Sequence, residues 1–253
     1  MPRAIRRFRG NFRLVVLTIA LVALLAAAVG HFRRGPAPTT VARKPERPKQ
    51  SVSPSPSRLV PATYPASGPG TWQYADTEGP VFGSAGPVRR YRVAVESGVP
   101  YGVADFATEV DAVLGDPRSW TAGGEYRLQR VPGNAHAEFT VFLATRDTST
   151  KMCLAGGVRT DGYTSCRTSG RVIINLDRWF TAIPDYGAPL ATYRTYVLNH
   201  ETGHELGHGH ELCPGAGLPA PVMEQQTLGL HGCTANPWPY LGGERYAGPP
   251  GQY

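Results

Sequence analysis

Eleven residues carry the densest chemistry in the chain: His200-Glu201-Thr202-Gly203-His204-Glu205-Leu206-Gly207-His208-Gly209-His210. His200 and His204 are four positions apart, so on a helix their imidazoles leave from one face and can share one zinc ion. Glu201, one position along, can reach a water on such a metal. Gly207 can take a left-handed conformation, end the helix and turn the chain back. His210 then comes within reach as a third ligand, with His208 beside it as a rival. Three protein ligands leave a fourth position for water, which is the composition of a catalytic zinc site.

The stretch resembles, at every fixed position, the extended zinc signature H-E-x-x-H-x-x-G-x-x-H of the metzincin peptidases. Members of that family carry a methionine turn below the metal, and Pro221-Val222-Met223-Glu224 looks like it. The resemblance implies an α+β zincin domain, a twisted mixed sheet with two main helices, one of them the zinc-binding helix. It implies Zn2+ as cofactor, Glu201 as general base and Met223 as the floor beneath the ligands. Many metzincins have a Tyr two residues after the methionine, where this chain has Gln225. No cysteine-bearing propeptide motif is visible. Over its whole length the chain also resembles an uncharacterised domain of actinobacterial cell-envelope proteins. Its recurring phrases here are Asp116-Pro117-Arg118-Ser119-Trp120-Thr121, Asn199-His200-Glu201 and Pro221-Val222-Met223.

The elements that must position these residues follow from pattern. Tyr91, Val93 and Val95 alternate with Arg90, Arg92 and Ala94, which predicts a strand with one buried face. Phe106, Val110, Val113 and Leu114 fall at helical spacing, with Asp105 as a cap and Gly115 and Pro117 as the stop. Strands are expected at 126–131, at 139–143 and at 171–176, the last an apolar Val172-Ile173-Ile174 run suited to the middle of a sheet. Residues 153–166, with three glycines, read as a disulfide-closed hairpin or loop. The zinc helix should run from Tyr193 to Leu206, and 207–253 should be irregular. Tyr193 and Tyr196 read as core residues.

The four cysteines, Cys153, Cys166, Cys213 and Cys233, allow three pairings. Cys153–Cys166 with Cys213–Cys233 is favoured because each closes a short loop. A four-cysteine zinc site lacks a Cys-x-x-Cys spacing. Disulfides imply an oxidising compartment.

The net charge of +7 is unevenly placed. Residues 1–70 hold twelve Lys or Arg and one acidic residue, leaving fourteen basic and eighteen acidic residues in 71–253. The later part therefore offers no basic face for nucleic acid. Residues 1–13 read as a basic cytoplasmic tail, and 14–30 as an apolar transmembrane signal-anchor long enough to span a bilayer. A cleaved signal peptide ending at Ala26-Ala27-Ala28 is the alternative. Residues 31–70, with nine prolines in 35–70, read as a disordered linker. The expectation is a membrane-anchored, extracytoplasmic, monomeric zinc peptidase over residues 71–253, acting on peptide or protein substrates. Two rivals share the motif: a zinc-stabilised envelope protein that binds without catalysis, and an amidase acting on wall peptides.

Overall fold

The computed structural model describes residues 63–253. The expected tail at 1–13 and span at 14–30 lie outside them, as does most of the linker. No helix among the described residues is long and apolar enough to cross a membrane.

The domain is α+β and built on a mixed sheet. Its strands are β1 (Trp72–Tyr74), β2 (Val81–Phe82), β3 (Val88–Glu96), β4 (Arg127–Arg130), β5 (Phe139–Ala144), β6 (Cys166–Thr168) and β7 (Arg171–Asn175). They lie in the order β2-β4-β3-β5-β7-β6. The inner strands β4, β3, β5 and β7 are mutually parallel, and β2 and β6 run antiparallel at the two edges. β1 pairs with the last residues of β3, on the side where β4 pairs with its first. A two-stranded ribbon, β8 (Tyr240–Leu241) and β9 (Glu244–Arg245), stands apart.

The period-two pattern sorts two cores. Tyr91, Val93, Val95, Phe139, Val141, Leu143, Val172 and Ile174 bury one face of the sheet. Against it pack α1 (Val103–Leu114), α3 (Leu176–Thr181) and α4 (Leu190–Glu205), through residues such as Phe106, Trp179 and Val197. Ala94, Phe142 and Ile173 point to the other face, which α2 (Arg146–Ala155) covers with Cys153. β5 is buried at every position, as a strand covered on both faces must be.

The described residues thus hold four helices, two more than the main pair expected. Part of the stretch read as a loop is α2, and Cys153 sits on that helix. Its sequence, Arg-Asp-Thr-Ser-Thr-Lys-Met-Cys-Leu-Ala, has no apolar stripe, and its buried residues are Thr148, Ser149 and Cys153. Tertiary bonds supply what the pattern lacks. The buried Glu96 carboxylate accepts from Thr145 N at 2.8 Å and from Thr148 Oγ1 at 2.7 Å, holding the helix start to the end of β3. α3 is capped by Asn175, whose side chain accepts from Asp177 N. Asp105 lies within the first turn of α1, and Gly102 is the N-cap.

Packing begins ahead of residue 71. Tyr64 packs on Phe180 with ring centroids 4.8 Å apart, and the carbonyl of Ala66 accepts from Asp147 N. Gly70 N donates to Glu96. One aromatic and a few backbone bonds tie this proline-rich segment down, a signal that composition averages away. The cysteines pair as Cys153–Cys166 and Cys213–Cys233.

Candidate metal centre

α4 carries the chemistry, and it is buried through nine consecutive-turn residues from Tyr193 to Gly203. Val197 and Leu198 join the core under the sheet, while Tyr193 and Tyr196 pack with Tyr186, and together they hold the helix that carries His200 and His204. The helix stops by backbone geometry. Gly207 has φ of 99°, Gly207 N donates to His204 O, and His208 N donates to Gly203 O at 2.9 Å. These two bonds with a left-handed glycine form a Schellman motif. A side chain at Gly207 would be strained at that φ whatever the space around it.

The reversal brings three imidazoles together. Nε2 of His204 lies 3.2 Å from Nε2 of His200 and 3.0 Å from Nε2 of His210. Each ring has its other nitrogen on an oxygen: His200 Nδ1 on Val222 O at 2.8 Å, His204 Nδ1 on His208 O at 2.9 Å, His210 Nδ1 on Gln252 Oε1 at 3.1 Å. Carbonyl oxygens only accept, so each Nδ1 carries the proton and each Nε2 a lone pair. Burial keeps the first two rings neutral, pushing His200 well below its ordinary range and His204 down to about 4. Three inward lone pairs with no proton among them repel one another unless a cation stands between. Zinc–imidazole bonds of about 2.0–2.1 Å in a tetrahedron separate ligand nitrogens by about 3.3 Å, close to the spacing found. The donor set and its spacing fit such an ion.

His208 is not in the cluster. Its ring stacks on Trp120, centroids 4.3 Å apart and planes 18° from parallel. Glu201 is 5% exposed, and burial pushes its carboxyl up to about 8. It lines, with the three histidines, a cleft of about 750 Å³. One wall of the cleft is residues 158–167, ending in the edge strand β6, and the other includes Gly207–His210 with Gln225, Thr227 and Leu228. Arg167 on β6 pairs with Glu205 at 2.6 Å, tying that wall to the helix end.

Met223 is fully buried against the helix. Gly203, between the two helical ligands, permits this. A Cβ there would stand 2.5 Å from both Met223 Sδ and Trp120 Cζ2. Trp120 belongs to a bracket around the helix. Its Nε1 donates to Asn199 O, Ser119 Oγ donates to Asn199 Oδ1, and Asn199 Nδ2 donates to Pro237 O. Tyr193 and Tyr196 are core phenols anchored on Thr227 and on Glu224 O. Sequence reasoning did not single out Gly203, Gln252 or the Val222 carbonyl. A glycine inside a helix was the one legible signal, since it costs helix stability and wants a packing reason.

These features define a class: an α+β domain whose longest helix presents a three-imidazole cluster and a buried carboxyl to a cleft beside a sheet edge. The chain belongs to the family described as protein of unknown function, DUF3152, whose model matches residues 59–241. No curated protein and no solved structure matches the chain. The three histidines, Glu201, Met223, the Trp120 bracket and both disulfides fall inside the matched span, and Gln252 falls outside it.

Proposed function

We propose that the domain is a metzincin-like zinc peptidase, held outside the cytoplasm by the apolar run at 14–30. The observation that carries this reading is the convergence of three Nε2 lone pairs next to a buried carboxyl that opens on a cleft. His200, His204 and His210 would hold zinc, which when bound polarises a carbonyl and makes a water acidic near neutral pH. Glu201 takes the proton of the attacking water and returns it to the leaving amine. Its raised affinity for protons suits both halves of that task, and a dication at the histidines draws it back toward ionisation. A structural zinc usually takes four protein ligands and has no use for such a carboxyl. β6 is an edge strand whose Cys166 and Arg167 line the cleft, and an edge strand is a site where a peptide backbone can add. The two disulfides support an oxidising location.

The test is Glu201→Gln in the full chain, with zinc content, thermal midpoint and cleavage of an unbiased peptide library compared with wild type. The expected result is unchanged zinc and fold with hydrolysis lowered about 10²–10⁴-fold. Zinc lost with Glu201 would make it a ligand and sink the comparison. Zinc present and no cleavage by either protein would favour a zinc-stabilised binding protein.

A further inference from the structure

Of the three imidazoles, His210 has the least support from its own element. His200 and His204 ride on α4, and their Nδ1 atoms meet main-chain carbonyls. His210 follows the helix in an irregular segment, and a Cβ at Gly207 or Gly209 would find no atom within 4 Å. Packing from that side therefore does not fix the ring. One bond holds the segment from the methionine turn: Glu211 N donates to Met223 O at 3.1 Å. Residues 248–253 hold it from the other side as an antiparallel strap, with Glu211 opposite Pro250. Leu212 N donates to Pro249 O at 2.8 Å, Gly251 N donates to His210 O at 3.1 Å, and Gly248 N donates to the Glu211 carboxylate. Tyr253 fastens the end, its hydroxyl accepting from Cys213 N and its ring stacked on His231. Pro249 and Pro250 suit the role, because a fixed φ lowers the entropy lost when the strap docks.

The strap carries Gln252, whose Oε1 stands 3.1 Å from His210 Nδ1. A side-chain amide has two faces, since Oε1 only accepts and Nε2 only donates. With Oε1 toward the ring, the imidazole proton stays on Nδ1 and the lone pair on Nε2. With the amide nitrogen there instead, the proton would move to His210 Nε2 and block ligation. The carbonyls at His200 and His204 leave no such choice. We infer that Gln252, delivered by the strap at 248–253, is a positioning residue of the metal centre. It selects the Nδ1–H tautomer of His210 and holds that ring so that three imidazoles face the metal rather than two. The inference rests on the zinc reading of the cluster and adds to it a residue 42 positions beyond the third ligand. Gln252 is exposed, so its role is separable from the stability of the core.

Zinc affinity by chelator competition is measured on the full chain for wild type, Gln252→Ala, Gln252→Glu and Gly248→Ala. Thermal midpoints and the His210 tautomer, by heteronuclear NMR of the imidazole nitrogens, are measured on the chelated proteins. Gln252→Ala should weaken zinc binding about 10–100-fold, the usual cost of an outer-shell partner, with an unmoved chelated midpoint. Its His210 should become a mixture of tautomers. Gln252→Glu, an acceptor without a donor face, should restore at least wild-type affinity. A Cβ at Gly248 would collide with Leu212 O, so Gly248→Ala should lift the strap and weaken zinc with Gln252 still in the chain. If wild type binds zinc, an unchanged affinity in Gln252→Ala or Gly248→Ala, or no rescue by Gln252→Glu, overturns the inference. If wild type binds none, the zinc reading fails by itself, and the tautomers still decide the role of Gln252. The same His210 tautomer in wild type and Gln252→Ala then overturns it.

Discussion

Gly203→Ala opposes two effects of opposite sign at the centre of the site. Helix propensity alone makes Ala stabilising in a helix interior by about 1 kcal/mol. Packing says otherwise. The new methyl would stand 2.5 Å from Met223 Sδ and from Trp120 Cζ2, where ordinary contacts begin near 3.4 Å. Both neighbours are essentially fully buried, and neither is the loose end of a flexible surface chain. Trp120 is further held by its bond to Asn199 O. Overpacking of this kind costs about 1–3 kcal/mol, and full burial of both neighbours, with Trp120 also held by its hydrogen bond, puts it at the upper end. The net is a loss of about 2 kcal/mol, or about 4–8 °C in thermal midpoint for a domain of this size. The displaced Met223 also carries Val222 with it, so His200 loses its orienting carbonyl and zinc affinity should fall about 10–100-fold. Thermal melts of the chelated protein and zinc competition with a chromophoric chelator measure the two effects. A midpoint that rises would refute the packing argument, and a lowered midpoint with unchanged zinc affinity would refute the link through Val222.

Further outcomes follow from individual contacts. His210→Ala should lose bound zinc and His208→Ala should retain it, read by metal analysis, because the His208 ring is stacked on Trp120 outside the cluster. Zinc lost only from His208→Ala would reverse the ligand assignment. Glu96→Ala strips the acceptor from Gly70 N, Thr145 N and Thr148 Oγ1. It should cost about 4 kcal/mol in chemical denaturation, and a loss below about 1 kcal/mol would show these bonds to be replaceable by water. In the chelated protein, His200 and His204 titrate lower when folded than when unfolded. Their stability is intact above the unfolded value of about 6.5 and is withdrawn as pH falls through that value toward the folded ones. Thermal midpoints should drop between about pH 6.5 and about pH 4.5, and a flat profile there would count against neutral buried rings.

What depends on spacing along one chain was legible in the residues. His200 and His204 share a helix face because 3.6 residues make a turn, and Gly207 turns left because no side chain forbids it. The strands at β3, β4, β5 and β7 were legible because each alternates or runs apolar over its own length. The short loops closed by the two cysteine pairs were legible for the same reason. Contacts between distant segments left no such mark. α2 has a polar surface and is held by Glu96, so no periodicity announced it. The choice of His210 over His208 came from Trp120, far away in sequence, which offers His208 a stacking partner. The lone pairs of the three imidazoles face one another because Val222, the His208 carbonyl and Gln252 take the opposite protons. Two of those acceptors are main-chain carbonyls, which every residue possesses and no sequence pattern can mark. Tertiary structure alone decides where such a group points, and with it which nitrogen of each histidine is left to meet a metal.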